Sequence, residues 1–255
     1  MKNTVELLGY YGSDLVIAQS AWVSTNREMD QKKIDRHAKM IVSLWAKGHE
    51  TPYEKALVHF LVDTDIASHI HLLKHRISSL NAESARYKEL KEDKYYLPED
   101  WINVPVDKKH YNLNYINTQV DANWGSISWI ELLDNYTRIG NALYHRALED
   151  LTPVLGRKRA KESARYFKTY NTQIQADAMF NLRSFANLLR LRNSEHAQKE
   201  IREIAQQMHD LVENIPSKPF KTAMWVISRA NEIWIEKQKE ISEQLINEFA
   251  SEEMI

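Results

Sequence analysis

None of the 255 residues is cysteine. The folded state therefore rests on a packed core and hydrogen bonds, and no disulfide, thiolate metal site, iron–sulfur cluster or cysteine nucleophile is available. Glycine is nearly as restrictive. It occurs six times, at positions 9, 12, 48, 125, 140 and 156, and neither a G-x-G-x-x-G nor a Walker-type loop can be assembled from those positions. Any nucleotide this chain binds must have its phosphates held by side chains.

The remaining composition narrows the class. The length suits one large domain with a sizeable core. Thirty-four basic residues face 35 acidic ones, for a net charge of −1 and a pI near 6.8. That balance argues against a general nucleic-acid coat, which needs many unmatched cations. No apolar run approaches the roughly 18–20 residues of a spanning helix. Met1 to Asp14 carries Lys2, Glu6 and Asp14 and lacks the apolar stretch of a signal peptide. A cytoplasmic protein with no membrane partner is the expectation.

Residues 1–9 read weakly as a strand, and Ser13 caps a short helix with Leu15, Ile17, Ala18, Ala21 and Trp22. Helical spacing over 30–47 puts Ile34, Met40, Ile41, Leu44 and Trp45 on one face, with Gly48 as the stop. Ala56 to Asp63 reads as a buried strand, and Asp65 caps a helix over Ile66 to Leu80. Residues 91–120 read as irregular. A helix from Trp124 to Leu151 ends at Pro153, and further helices are expected at 157–170, 183–192, 194–214 and 228–250. No Gly-, Ser- or Pro-rich linker divides the chain, so the reading is one helix-rich α+β domain over 1–255.

Two polar clusters carry the candidate chemistry. In Lys74 to Tyr87, the cations Lys74, Arg76 and Arg86 mix with Ser78, Ser79, Asn81 and Ser84. That mix suits an anion, since guanidinium forks grip phosphate and hydroxyls fill its remaining lone pairs. A solvated helix end with capping serines is the alternative. In Asn181 to Gln198, Asn187 lies four residues after Arg183 and so shares its helical face. Arg192 falls where that helix stops and Ser194 is placed to cap the next. Here the alternative is an amphipathic helix with Phe185, Leu188, Leu189 and Leu191 as core.

A third segment, Gly48 to Glu54, has Thr51, Pro52 and Glu54 spaced as a capping box, which leaves His49 and Glu50 unexplained. His71 and His75 are four apart, but no H-E-x-x-H surrounds them. His209-Asp210 admits a metal phosphohydrolase reading without evident further ligands. The basic run at 157–168, whose only acid is Glu162, reads as a solvated helix face or, less readily, a nucleic-acid patch. There is no G-x-S-x-G elbow for a serine nucleophile.

Taken in order, these blocks resemble the flavin-dependent thymidylate synthases. That family's motif runs Arg-His-Arg, seven residues, then Ser; here Arg76 is followed by seven residues and Ser84, with Asn81, Arg86 and Tyr87 also matching. The Gly-His-Glu-Thr-Pro-aromatic-Glu segment at 48–54, the stretch 181–198 and a weaker block at Ala21 to Thr25 complete the likeness. The resemblance implies a helix-rich α+β fold with a small, mostly antiparallel sheet. It also implies reductive methylation of dUMP to dTMP, with FAD bound and with methylenetetrahydrofolate and NADPH as co-substrates. A homotetramer with sites shared between subunits is implied, with no metal and no nucleic acid.

By motif position, the flavin site would take Ser24, His49, Thr51, Glu54, Lys74, His75, Arg76, Ile77, Asn181, Arg183 and Asn187. The dUMP site would take His71, Lys74, Ala82, Glu83, Ser84, Ala85, Arg86, Arg165 and Arg192, with Arg192 at the position that activates the uracil ring. Two positions depart from the pattern. Lys74 replaces the first arginine of the triplet, keeping charge but losing the planar fork. Ala82 stands where the family has Glu, and Glu83 is displaced by one residue. The missing cysteine fits a route in which the cofactor, not a protein thiolate, does the covalent work.

Overall fold

The structure, a computed structural model, describes residues 1–106 and 128–252. Four strands, β1 (Thr4–Tyr11), β2 (Leu57–Asp65), β3 (Ser79–Ala82) and β4 (Gln173–Asn181), form one small antiparallel sheet in the order β1-β2-β4-β3. Eight helices accompany them among the described residues: α1 (Asp14–Trp22), α2 (Gln31–Ala46), α3 (Ile66–Leu73), α4 (Trp129–Leu155), α5 (Arg157–Ala164), α6 (Leu182–Arg192), α7 (Lys199–Glu213) and α8 (Lys221–Glu252). None of the described helices is long and apolar enough to cross a membrane. The described residues cluster into two compact units, each assembled from separated stretches of chain.

One unit comprises 4–62, 71–81 and 177–255. Its core is aromatic and aliphatic: Phe60 on β2 and Phe180 on β4 lie 5.7 and 6.4 Å from the ring of Phe185 on α6. Ile201, Ile204 and Met208 of α7 and Ala223 and Ile227 of α8 are also fully buried. Apolar residues three and four apart make these helices bury one face each. Ser13 caps α1 as expected, accepting the Val16 N–H at 3.3 Å. Asp14, the next residue, is buried and accepts the Thr222 and Ala223 amides at 2.6 and 3.0 Å, so it caps α8 from across the unit. Burial raises its carboxyl pKa against those two hydrogen bonds.

The other unit comprises 1–3, 63–70 and 82–176. Tyr144 and Leu148 of α4 pack on Ala160 and Ala164 of α5. A Ser128–Glu131 capping box starts α4. Gly140 allows close approach: a Cβ there would stand 2.6 Å from the Phe167 carbonyl oxygen. Gly140→Ala should destabilise the protein by about 1–3 kcal/mol, because the contact is with backbone and cannot move aside. A thermal melt reads this directly, and an unchanged midpoint would contradict the packing.

Several sequence expectations need correction. The helix capped by Asp65 stops at Leu73 rather than Leu80, and Ser79–Ala82 is a strand. β4 was not expected at all. Its inward residues are Ala176, Ala178 and Phe180, and alanine and aspartate are poor strand markers, so pairing in the sheet decides this segment. Thr51–Lys55 is a 3-10 turn without a side-chain cap; Glu54, assigned to a capping box, instead binds Arg183. Pro153 lies inside α4, which ends at Leu155 with Gly156 as its C-cap. Ser194 does not cap α7, whose N-cap is Gln198; a turn from the Ala197 N–H to the Ser194 carbonyl intervenes. The helix expected at 157–170 ends at Ala164 and the last helix begins at Lys221, earlier than expected. On α2 only Ile41 is fully buried, while Ile34 is 39% exposed. The expectations for 107–127 lie outside the described residues.

Candidate active site

All the residues that follow, down to the second cavity, belong to the unit containing β1. Asn181 ends β4 and caps α6, its side-chain oxygen accepting the Ser184 N–H at 2.8 Å. From that fixed start, α6 buries Leu182, Phe185, Leu188 and Leu189. Arg183, Asn187 and Arg190, spaced four and three apart, are carried to another face. The 3-10 turn brings two carboxylates to the first of them: Arg183 Nε lies 3.1 Å from Glu50, and its Nη1 2.7 Å from Glu54. Beneath the turn, buried Tyr53 donates to the Ile41 carbonyl and stands edge-on to Trp45.

Lys74, His75, Arg76 and Ile77 follow the end of α3. Together with Trp45, Glu50, Glu54, Asn181, Arg183, Asn187 and Arg190 they line a cavity of about 440 Å³. Four cations there face two carboxylates, an excess of two positive charges. Both carboxylates are already on Arg183. Among the described residues, neither Lys74 nor Arg76 has a carboxylate partner. Such a cavity attracts an anion with acceptor oxygens, because its charge is incompletely neutralised and Arg offers directional donors.

His75 connects this cavity to a second one. The ring is buried, and burial first, then the charge of Arg192 and of His71, hold its pKa down at about 4. It is thus neutral at neutral pH, and its Nε2 accepts the Arg192 Nε–H at 3.1 Å. Arg192 itself lines a cavity of about 590 Å³ with Arg190, Ser194, His196 and Trp234. His71 contacts Gln198 at 3.2 Å.

Of the expected flavin residues, Glu54, Lys74, His75, Arg76, Ile77, Asn181, Arg183 and Asn187 share the first cavity. Ser24, His49 and Thr51 are exposed and line neither cavity; the Ser24 hydroxyl donates to the Ala21 carbonyl at 2.9 Å. The sequence leaves Glu50 unexplained and assigns no site role to it, to Arg190 or to Trp45. Arg190 was legible as the next step of the Arg183–Asn187 face, whereas Trp45 and Glu50 arrive through tertiary packing.

Most of the expected dUMP residues fall in the other unit. The Ser84 hydroxyl oxygen accepts the Arg86 N–H at 3.3 Å, and Arg86 Nε donates to Glu162 at 3.2 Å. Glu83 holds Lys88 and accepts the Gln175 N–H, so its carboxylate is engaged locally. Ala82 ends β3 and Ala85 follows Ser84. Arg165 begins a 3-10 turn after α5 and is exposed, with no carboxylate partner among the described residues. The basic run is largely paired: Arg157 binds Glu89, Arg159 binds Glu162, and Lys161 donates to the Tyr87 carbonyl. Among the described residues no group of three or more His, Asp or Glu side chains could hold a metal ion.

This fold and a cationic cavity built by side chains define a class, and comparison with known proteins identifies it. Among solved structures, a UMP/dUMP methylase, PolB from Streptomyces cacaoi, bound with 5-Br dUMP, superposes with a TM-score of 0.67. It is 24% identical, the match covering 89% of this chain and 95% of that one. The family model described as thymidylate synthase complementing protein matches residues 6–216. The flavin-dependent thymidylate synthase of Thermosipho melanesiensis is 32% identical over 207 residues, covering 80% of this chain and 82% of that protein. That of Kosmotoga olearia is 31% identical over 204 residues, again 80% of this chain and 82% of the relative. The chain belongs to the flavin-dependent thymidylate synthase family.

Proposed function

We propose that this protein is an FAD-dependent thymidylate synthase. It converts dUMP to dTMP with methylenetetrahydrofolate as carbon donor and NADPH as reductant, acting in the cytoplasm as a single-domain homotetramer with shared sites. The observation that carries the reading is the first cavity. Eight of the residues matched to flavin positions converge there with an excess of positive charge, in a chain with no cysteine for the alternative thiolate route.

The donor set fits a flavin dinucleotide. Lys74 and Arg76 suit its pyrophosphate, and the Asn187 amide suits a polar ring edge. Arg183, already neutralised by two glutamates, acts as a fixed wall rather than a free cation. The bound flavin supplies electron and hydride transfer, so no protein nucleophile is required. Arg192 has the role of stabilising negative charge on the imide side of the uracil ring, which makes C5 nucleophilic. One preorganised donor of this kind is worth roughly 3–4 kcal/mol. Neutral His75 holds that guanidinium by accepting from Nε, leaving the other four N–H groups for the substrate. Ser84, Arg86 and Arg165 supply hydroxyl and guanidinium donors for the uridylate phosphate.

The test is spectroscopic. Purified protein, or protein reconstituted with FAD, should be yellow, and NADPH should be oxidised faster once dUMP is added, with dTMP formed when the folate is present. Protein that stays colourless after incubation with FAD would remove the proposal.

A further inference from the structure

The segment matched by the family model ends at residue 216, yet α8, which lies beyond it, supplies Asn231 to the first cavity and Trp234 to the second. Three observations converge on the residue shared by both cavities, Arg190. Its Cζ lies 5.0 Å from the centre of the Trp234 ring. Its Nη2 donates to the Asn187 side-chain oxygen at 2.6 Å. Its Nε is buried and has no hydrogen-bond partner among the described residues.

A guanidinium is flat and rigid, so a ring stacked on it fixes the direction of all its N–H groups at once. Here one edge is committed to the Asn187 side-chain oxygen, which turns that residue's amide nitrogen the other way. The Nε–H is buried against the protein, so the Nη1 edge, which makes no hydrogen bond among the described residues, is the one left for a ligand. α8 is in turn held at its start by Asp14, so the ring is presented from an anchored element. Trp225, on the same helix, is 60% exposed and lines neither cavity.

We propose that Arg190 is a further flavin-binding residue, donating a guanidinium N–H that Asn187 does not take to an acceptor oxygen of the bound dinucleotide. Trp234 is its positioning residue, contributed by the helix beyond the family segment. This rests on the flavin reading above. Lysine at 190 keeps the charge but lacks the planar fork that serves Asn187 and the ligand in one fixed geometry, and a smaller side chain at 234 lets the fork swing.

FAD titration of flavin-free protein, followed by quenching of flavin fluorescence, tests it. Trp234→Ala and Arg190→Lys should each raise the Kd for FAD about tenfold. Trp234→Phe should recover most of the affinity, and Trp225→Ala should match the unmodified protein. The visible spectrum of the bound flavin should shift in Trp234→Ala and not in Trp225→Ala. The double variant Arg190→Lys/Trp234→Ala should lose no more than either single change, because the two act through one guanidinium. Normal affinity in both Trp234→Ala and Arg190→Lys, or fully additive losses in the double variant, would overturn the inference while leaving the flavin reading intact. Failure of the unmodified protein to take up FAD would instead remove the reading itself. Should Trp234→Ala not fold, Arg190→Lys and Trp234→Phe carry the same comparison.

Discussion

Arg192→Ala lowers kcat for dUMP-dependent NADPH oxidation by about 10²–10³-fold, the range for losing one preorganised charged donor, while the purified variant keeps its FAD. The separation follows from position. Arg192 ends α6 and lines the second cavity, not the one where the flavin-type residues gather. Among the described residues, its side-chain hydrogen bond to the rest of the site is the Nε–H to His75. Alanine removes the charge proposed to act on the uracil without emptying the first cavity of cations. Arg192→Lys should recover little, since lysine has neither the Nε nor the planar fork. Flavin content and initial rate on the same preparation settle the matter, and near-normal turnover would refute the role given to Arg192.

The second large effect is on stability in acid. His75 takes up its proton at about 4 when folded against an ordinary value of 6.5. Between those limits the unfolded chain binds the proton and the folded chain does not, so stability falls as pH falls. The loss is about 3 kcal/mol across the window, at about 1.4 kcal/mol for each unit of difference. Above 6.5 both states are neutral at this position and it adds no slope. Buried His69, lowered by burial as well, works in the same direction. The His75 share is therefore read by difference. Urea unfolding at pH 7 and pH 4.5 should show a steep loss in the unmodified protein and a shallower one in His75→Gln, which keeps an acceptor for Arg192 but does not titrate. Parallel slopes for the two proteins would refute the buried, neutral ring.

Much of the site was legible in the chain because its residues sit on short, regular pieces of structure. Arg183 and Asn187 share a face by helical spacing, and the cluster at 74–77 is contiguous. Where local rules competed with distant partners, the sequence misled. Thr51 and Glu54 have capping-box spacing, but Glu54 gains more from a charged hydrogen bond to Arg183, 129 residues away in sequence. Ser79 and Leu80 continue the helical pattern that starts at Ile66, but the sheet takes Ser79–Ala82 as a strand. β4 carries alanines where β-branched residues would mark a strand, and its identity comes from its neighbours β2 and β3.

The sequence by itself determined the absence of thiol chemistry, the scarcity of glycine cradles, the ordered motif blocks and most of the helices, since these depend on residue type and on spacing of a few positions. Tertiary structure alone decided which cations are neutralised, that His75 is buried and accepts from Arg192, and that Trp234 reaches Arg190. Charge compensation, desolvation and ring stacking depend on partners far apart in the chain, and no local pattern encodes that distance.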